Sequence, residues 1–195
     1  MKIYCVTYRG DFGFIKPWSA VRDELTFSQQ FLTPSIVMGM ERKLFPELLQ
    51  KENIIHKVLR HKLTYAAIDR QQEQTQARGW NKKKNSYQRP YAILTRGVMI
   101  RPALTLAFAT HEDAERAATQ HICLCRNEDI LFPSAEITET DDSDFDNLFP
   151  GFELQFQDLR SPIMVGYNRF RGFEPMYGQI HIQGESVSDF LNQEI

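Results

Sequence analysis

Two short segments carry the capping pattern of helices in a chain whose other hydrophobic runs favour strands. The first, "LTPSIVMGMERKLF", places Thr33 as a helix N-cap directly before a proline at the first helical position. Ile36, Met40 and Leu44 then follow four residues apart and form one apolar stripe. The second, "THEDAERAATQHI", begins with Thr110 as a cap and continues with acids in the first turn and with alanines. We therefore predict two helices.

Strand-like segments flank both predicted helices. Residues 2–9 alternate as a strand, and residues 54–68 are rich in β-forming side chains towards their end. Residues 91–108 contain two strand-like runs that meet at Arg96 and Gly97, in a hairpin or a bulged bend. Another strand pair surrounds the polar turn of "ICLCRNEDILF". This order predicts an α+β fold of the ferredoxin-like, split βαβ kind, which RNA-recognition domains also use.

The length of 195 residues allows one sizeable core, so we expect a single RNA-recognition-like domain over residues 1–195. Its last part, residues 136–195, is predicted to be an acidic loop followed by short strands. A polar, basic insertion separates the two halves of the predicted fold and would project as a β-hairpin.

Charge is distributed very unevenly along the chain. The net charge is only −2, yet residues 56–101 contain eleven lysines and arginines against two acids, a local excess of nine positive charges. Residues 136–158 contain eight acids and no lysine or arginine. Binding to a polyanion depends on local charge, because phosphates release their counterions where the cations lie. The basic half therefore favours a nucleic acid as partner.

The stretch "QTQARGWNKKKNSYQRPY", residues 74–91, places three lysines between two aromatic residues and contains no acid. Such a run is often only a solvated loop. At the end of a projecting hairpin, however, lysines can hold a phosphate backbone while aromatic rings stack on bases. The candidate RNA-binding residues of this region and of the later "GYNRFRG" turn are Lys57, Arg60, Lys62, Arg70, Arg78, Trp80, Lys82, Lys83, Lys84, Tyr87, Arg89, Arg169 and Arg171.

Several other kinds of protein are disfavoured by the sequence. The three cysteines and five histidines have neither zinc-finger nor HExxH spacing, so we expect reduced thiols in the core, no metal site and no cofactor. No apolar run approaches membrane-spanning length, and the first residues lack the apolar centre of a signal peptide. We expect a cytoplasmic protein without a membrane partner.

Four stretches, taken in order, resemble the CRISPR-associated protein 5 family, and its type I-C branch most of all. They are "YRGDFGFIKPW", "FLTPSIVMGMERKLF", "QRPYAILTRGVMIRPALTLAF" and "THEDAERAATQHI". The resemblance covers roughly residues 1–125. It implies an RNA-recognition-like palm with a β-hairpin thumb, here about residues 65–90.

The resemblance also implies a function and its partners. Members of this family are subunits of Cascade-type antiviral surveillance complexes. They hold the 5′ handle of the guide RNA and contact the large subunit and the backbone subunits. Target DNA would then be reached indirectly, through the guide.

The type I-C branch also cuts precursor guide RNA without metal, and two of its three catalytic positions differ here. Aligned through the shared motifs, its tyrosine corresponds to Phe45 and its lysine to Thr110, and only the histidine is retained, as His111. Phe45 cannot transfer a proton, and Thr110 cannot supply a cation. We therefore expect an RNA-binding subunit. A metal-independent endoribonuclease using His111 and a protein–protein adaptor without an RNA role are the alternatives.

Overall fold

The computed structural model describes residues 1–19, 24–76, 79–156, 160 and 162–184. Within these ranges the strands are β1 (Lys2–Arg9), β2 (Phe12–Gly13), β3 (Leu25–Phe27), β4 (Val58–Thr64), β5 (Ala67–Gln76), β6 (Asn81–Lys83), β7 (Ser86–Gln88), β8 (Tyr91–Ile100), β9 (Ala103–Phe108), β10 (Ile122–Cys123), β11 (Ile130–Asp141), β12 (Gly151–Gln155), β13 (Ile163–Asn168) and β14 (Glu174–Gln183). The helices are α1 (Pro34–Leu44), α2 (His111–Ala118) and α3 (Phe145–Leu148), with 3₁₀ turns at Pro46–Gln50 and Asp142–Asp144.

The largest sheet has the strand order β10-β11-β1-β9-β4-β12-β14-β13, and its paired strands run antiparallel. Strand β9 lies between β1 and β4 and is buried at all six positions, which explains its uninterrupted run of small and apolar residues. The described chain is thus a mixed α/β structure with antiparallel sheets and few helices. This arrangement agrees with the α+β class expected from the sequence. No described helix is long and apolar enough to cross a membrane.

Both longer helices pack onto the main core, at the residues that the sequence pattern predicts. Met40 and Leu44 of α1 are buried in the same hydrophobic cluster as Ala117 of α2. The hydroxyl of Tyr8, on β1, donates a 2.9 Å hydrogen bond to the carbonyl of Ala117 and ties the sheet to α2. Thr110 caps α2, because its Oγ1 accepts a 3.2 Å hydrogen bond from the amide of Asp113.

A long hairpin leaves the main sheet between β4 and β9. Strand β5 pairs antiparallel with β8 along its whole length, from Ala67 opposite Ile100 to Gln76 opposite Tyr91. Beyond this stem, β6 and β7 form a smaller two-stranded hairpin. The strand expected at residues 54–68 is therefore shorter than predicted, since the chain leaves β4 and enters the stem at β5.

The expected bend at Arg96 and Gly97 is absent, because β8 passes through both residues without a break. The ring of Phe27, on the parallel neighbour β3, lies over Gly97, and a Cβ added there would stand 2.2 Å from it. The glycine thus serves close packing and not a turn. The chain turns instead at Arg101, where φ is +49°.

The acidic segment expected as a loop at residues 136–147 is mostly regular structure. Residues 136–141 belong to β11, which pairs with β1 from Ile137 opposite Val6 to Asp141 opposite Lys2. The acids had suggested a loop, but here they project into solvent while the threonines and Ile137 between them favour a strand. The expectation of three core thiols also needs correction, because Cys125 is exposed and only Cys5 is fully buried.

Candidate nucleic-acid interface

The three lysines lie at the end of the small hairpin, where its turn projects them into solvent. Lys82 pairs with Tyr87 and Lys83 with Ser86, so Lys84 occupies the two-residue connection. Lys84 has φ of +52°, as a tight hairpin turn requires, and the Ser86 hydroxyl donates to the Lys83 carbonyl at 3.2 Å. All three lysines are exposed, and none forms an ion pair with a carboxylate that the structure describes.

Aromatic side chains surround an open concavity of about 600 Å³ beside these lysines. Trp80 is 58% exposed, Tyr87 65% and Tyr91 74%. The Arg89 guanidinium lies 4.6 Å from the centre of the Trp80 ring, a cation–π contact that holds both side chains at the surface. The sequence did not single out Tyr91. It begins a strand after a proline, and that position does not reveal whether its side chain is exposed.

Three of the basic residues predicted to bind RNA instead form ion pairs with carboxylates of this chain. Arg60 Nη2 lies 2.7 Å from Asp146 Oδ1 and 2.6 Å from Glu153 Oε2. Lys62 is 1% exposed, and its Nζ lies 2.8 Å from the same Asp146 oxygen. Lys57 forms an ion pair with Asp113. We remove these three residues from the interface, because a cation that is buried or paired with a carboxylate would have to break that contact before it could bind a phosphate.

In this acid–base cluster, the pKa shifts of Asp146 and Arg60 favour the charged form of each. Burial acts to raise the pKa of Asp146, but hydrogen bonds from Lys62 and Arg60 outweigh it and hold the pKa below its usual value. Burial likewise acts to lower the pKa of Arg60, but the bonds to Glu153 and Asp146 raise it above the ordinary value. These carboxylates belong to the acidic segment, which therefore neutralises part of the basic one inside the fold.

The remaining RNA-binding candidates are scattered. Arg70 is exposed on the hairpin stem, and its side chain has no carboxylate partner among the described residues. Arg78 lies outside the described residues. Arg171 is 3.3 Å from Glu174 Oε2. Arg169 lies away from the hairpin, in a separate concavity beside α1. The structure thus brings Trp80, Lys82, Lys83, Lys84, Tyr87 and Arg89 together at the hairpin end.

The candidate catalytic residue, His111, is exposed at the first residue of α2. Its Nδ1 lies 3.5 Å from Glu115 Oε1, and its ring meets the edge of Tyr4 with centroids 5.3 Å apart. Phe45 is completely buried and packs against Phe108, so it faces the core and not a reaction site. The alignment of sequence motifs did not point to Tyr4, because Tyr4 reaches His111, at the start of α2, from β1. No group of three described histidine, cysteine or acidic side chains is arranged to hold a metal ion.

Comparison with known proteins shows a similar fold among solved structures. No family model matches the chain, and no curated protein matches it either. A solved chain of a CRISPR RNA-guided surveillance complex is similar, with a TM-score of 0.52 and 9% sequence identity. The alignment covers 93% of this chain and 90% of that chain. At this identity, the similarity concerns the fold alone.

Proposed function

We propose that this chain is a guide-RNA-binding subunit of a Cascade-type antiviral surveillance complex and that its hairpin holds the 5′ handle of the guide. The observation that carries the proposal is the end of the hairpin, where unpaired lysines and exposed aromatic rings lie side by side. The fold it shares with a chain of a CRISPR RNA-guided surveillance complex supports the same assignment.

The arrangement of the central strands supports a ferredoxin-like palm within this proposal. The strands β11, β1, β9 and β4 are adjacent in that order, and each neighbouring pair is antiparallel. Helix α1 connects β1 to β4 along the chain and α2 connects β9 to β11, which is the split βαβ order. The thumb of this palm is the hairpin, extended from the predicted residues 65–90 to the end of β8.

The chemistry of the hairpin end matches a single-stranded RNA. The ammonium groups of Lys82, Lys83 and Lys84 neutralise phosphates and release counterions, a contribution that weakens as salt increases. The rings of Trp80 and Tyr87 offer faces for bases, and such stacking tolerates any base sequence. The partners that follow from this role are the guide RNA, the large and backbone subunits and, through the guide, target DNA, in the cytoplasm.

Removing the three hairpin lysines together tests the proposal. Labelled repeat RNA is titrated against the intact protein and the Lys82→Ala/Lys83→Ala/Lys84→Ala variant at several salt concentrations. We expect weaker binding and a slope of log affinity against log salt that is shallower by about 2, since each phosphate contact to a single strand contributes roughly 0.7. The control, Lys2→Ala/Lys51→Ala/Arg116→Ala, removes equal charge elsewhere on the surface, at exposed residues that are not candidates for RNA binding.

Two results would contradict the proposal. Equal losses in both triple variants would mean that only net charge matters. Absence of RNA binding above that of a generic polycation would instead favour the protein–protein adaptor.

A metal-independent endoribonuclease is the second candidate, because Tyr4 and His111 form a pair that could transfer protons. Repeat RNA incubated with the protein in chelator would then be cut at one site. His111→Ala and Tyr4→Phe should each reduce the cut, whereas His121→Ala, in the connection between α2 and β10, should not. Intact RNA under conditions of full binding would rule this activity out.

A further inference from the structure

A second concavity, of about 350 Å³, lies beside α1, and none of its described lining residues belongs to the hairpin. Its described wall consists of the loop after β2, the segment before α1, one face of α1 up to its last turn, the segment that follows α2, and the hairpin of β13 and β14. The volume falls within the range of about 300–1,000 Å³ that small-molecule sites occupy. The size therefore suits a ligand such as a single nucleotide.

The described charged residues of this concavity have one sign. Lys16, Lys43 and Arg169 line it, and no aspartate or glutamate does among the residues that the structure describes. All three cations are exposed and, across the part of the chain that the structure describes, none forms an ion pair. Three converging cations without a counter-charge favour an anionic group.

Arg169 is held in place on this wall by packing. Its guanidinium lies 4.8 Å from the centre of the Phe170 ring, and the guanidinium of Arg42 contacts the same ring at 4.5 Å. Its Nη2 also lies against Gly39, and a Cβ added to that glycine would stand only 3.0 Å from the Nη2 atom. The cation thus lies across α1 with its position largely set before a ligand arrives, which lowers the entropic cost of binding.

Aromatic rings also line this concavity. Trp18 and Tyr167 meet edge to face, with centroids 5.8 Å apart, and each is 50% exposed. Trp18 packs on Gly166, where an added Cβ would stand 3.2 Å from the tryptophan Cβ. A fixed, half-exposed indole offers one face for stacking on a planar ring.

Neutral polar groups complete the wall. The Oγ1 of Thr33 and the Oγ of Ser35 lie 3.2 Å apart at the start of α1. Gln29, whose Nε2 donates to the Phe31 carbonyl at 2.8 Å, lines the same concavity. Hydroxyl and amide groups can recognise the edge of a base or a sugar hydroxyl.

We propose that this concavity binds one nucleotide, with its phosphate on Lys16, Lys43 and Arg169 and its base stacked on Trp18. The proposal deepens the RNA-binding function and rests on it only for the source of the nucleotide, which is either free or part of an RNA strand. A simple anion would contact the cations but would not stack on the indole of Trp18.

Fluorescence of Trp18 tests this proposal directly. The chain has two tryptophans, so the Trp80→Phe variant leaves Trp18 as the sole indole. Adenosine monophosphate is titrated into this full-length variant, and inorganic phosphate is titrated separately. We expect a saturable change in Trp18 emission with the nucleotide and weaker binding of phosphate alone.

Further substitutions in the same background identify the contacts. Lys43→Ala/Arg169→Ala should weaken nucleotide binding by at least about tenfold, as the loss of charge-assisted hydrogen bonds implies. The control Arg116→Ala removes an exposed arginine that is paired with Glu47 and is not among the described lining residues, and affinity should stay within about twofold. Nucleotide binding that survives the double substitution would overturn the proposal, as would phosphate binding as tightly as the nucleotide.

Competition separates this proposal from the RNA-binding function. Repeat RNA that displaces adenosine monophosphate identifies an RNA strand as the source, and a nucleotide that stays bound identifies a free nucleotide; either result supports the site. If the nucleotide does not bind while repeat RNA still requires the hairpin lysines, the concavity is no nucleotide site and the RNA-binding function stands. If the nucleotide binds and repeat RNA does not, the nucleotide site stands and the RNA-binding function is contradicted.

Discussion

The Nη2 atom of Arg169 lies 3.0 Å from the point that a Cβ on Gly39 would occupy. Gly39 is in the middle of α1, where glycine costs roughly 1 kcal/mol relative to alanine. A guanidinium from the β13–β14 turn therefore packs against the helix at the position that carries no side chain.

Replacing Gly39 with alanine should therefore separate stability from binding. We expect the free energy of unfolding to change by less than about 1 kcal/mol, because the gain in helix propensity offsets the displacement of an exposed side chain. Nucleotide affinity, measured by Trp18 fluorescence in the Trp80→Phe background, should fall. In an Arg169→Ala background the same substitution should have no effect on affinity; an equal loss there would mean that Gly39 does not act through Arg169.

Lys62 should contribute to the stability of the fold and not to RNA binding. Lys62→Met keeps the aliphatic stem but removes a buried cation from Asp146 and Glu153, so denaturant titration should show a loss of about 3 kcal/mol. The salt dependence of RNA binding should stay unchanged. Lys83→Met, at the exposed hairpin end, should show the opposite pattern. A stable Lys62→Met protein with a shallower salt slope would return Lys62 to the interface.

His61 should make the fold sensitive to mild acid. Burial lowers the pKa of His61 to about 4, and its Nε2 has no hydrogen-bond partner among the described residues. An unfolded histidine takes up a proton near pH 6.5, so its contribution to stability is complete above that pH and is lost as the pH falls towards 4.

The contribution of His61 should amount to about 2 kcal/mol between pH 7.5 and pH 5. Denaturant titrations at the two pH values measure it. His61→Phe, which retains stacking on Phe156, should reduce the difference, and His121→Phe, at an exposed position, should not. An unchanged difference in His61→Phe would mean that another group causes the acid sensitivity.

Thiol reactivity should distinguish the three cysteines. Cys5 is 1% exposed, and burial raises its pKa to about 12, so it has almost no thiolate at neutral pH. A disulfide reagent should modify at most two thiols in the folded protein and all three in denaturant. Cys5→Ala should leave the native count unchanged. Rapid modification of three thiols without denaturant would mean that β1 opens readily.

The two longer helices could be predicted because they depend on local patterns. The cap at Thr110 and the apolar residues of α1 act within a few positions of the chain, so their effect is visible in the sequence. The bend wrongly placed at Gly97 shows the limit of such patterns. A glycine in a strand marks either a turn or a close contact, and only the position of Phe27 distinguishes the two.

By itself, then, the sequence determined the cluster of lysines and aromatic residues, the two helices and the uneven distribution of charge. Which cations remain free was decided only in three dimensions, because Asp146 and Glu153 reach Arg60 and Lys62 from more than 80 positions away. The same holds for Arg169, which α1 supports from 130 positions earlier in the chain. Ion pairing and burial act through space over a few ångströms, and separation along the chain carries no record of them.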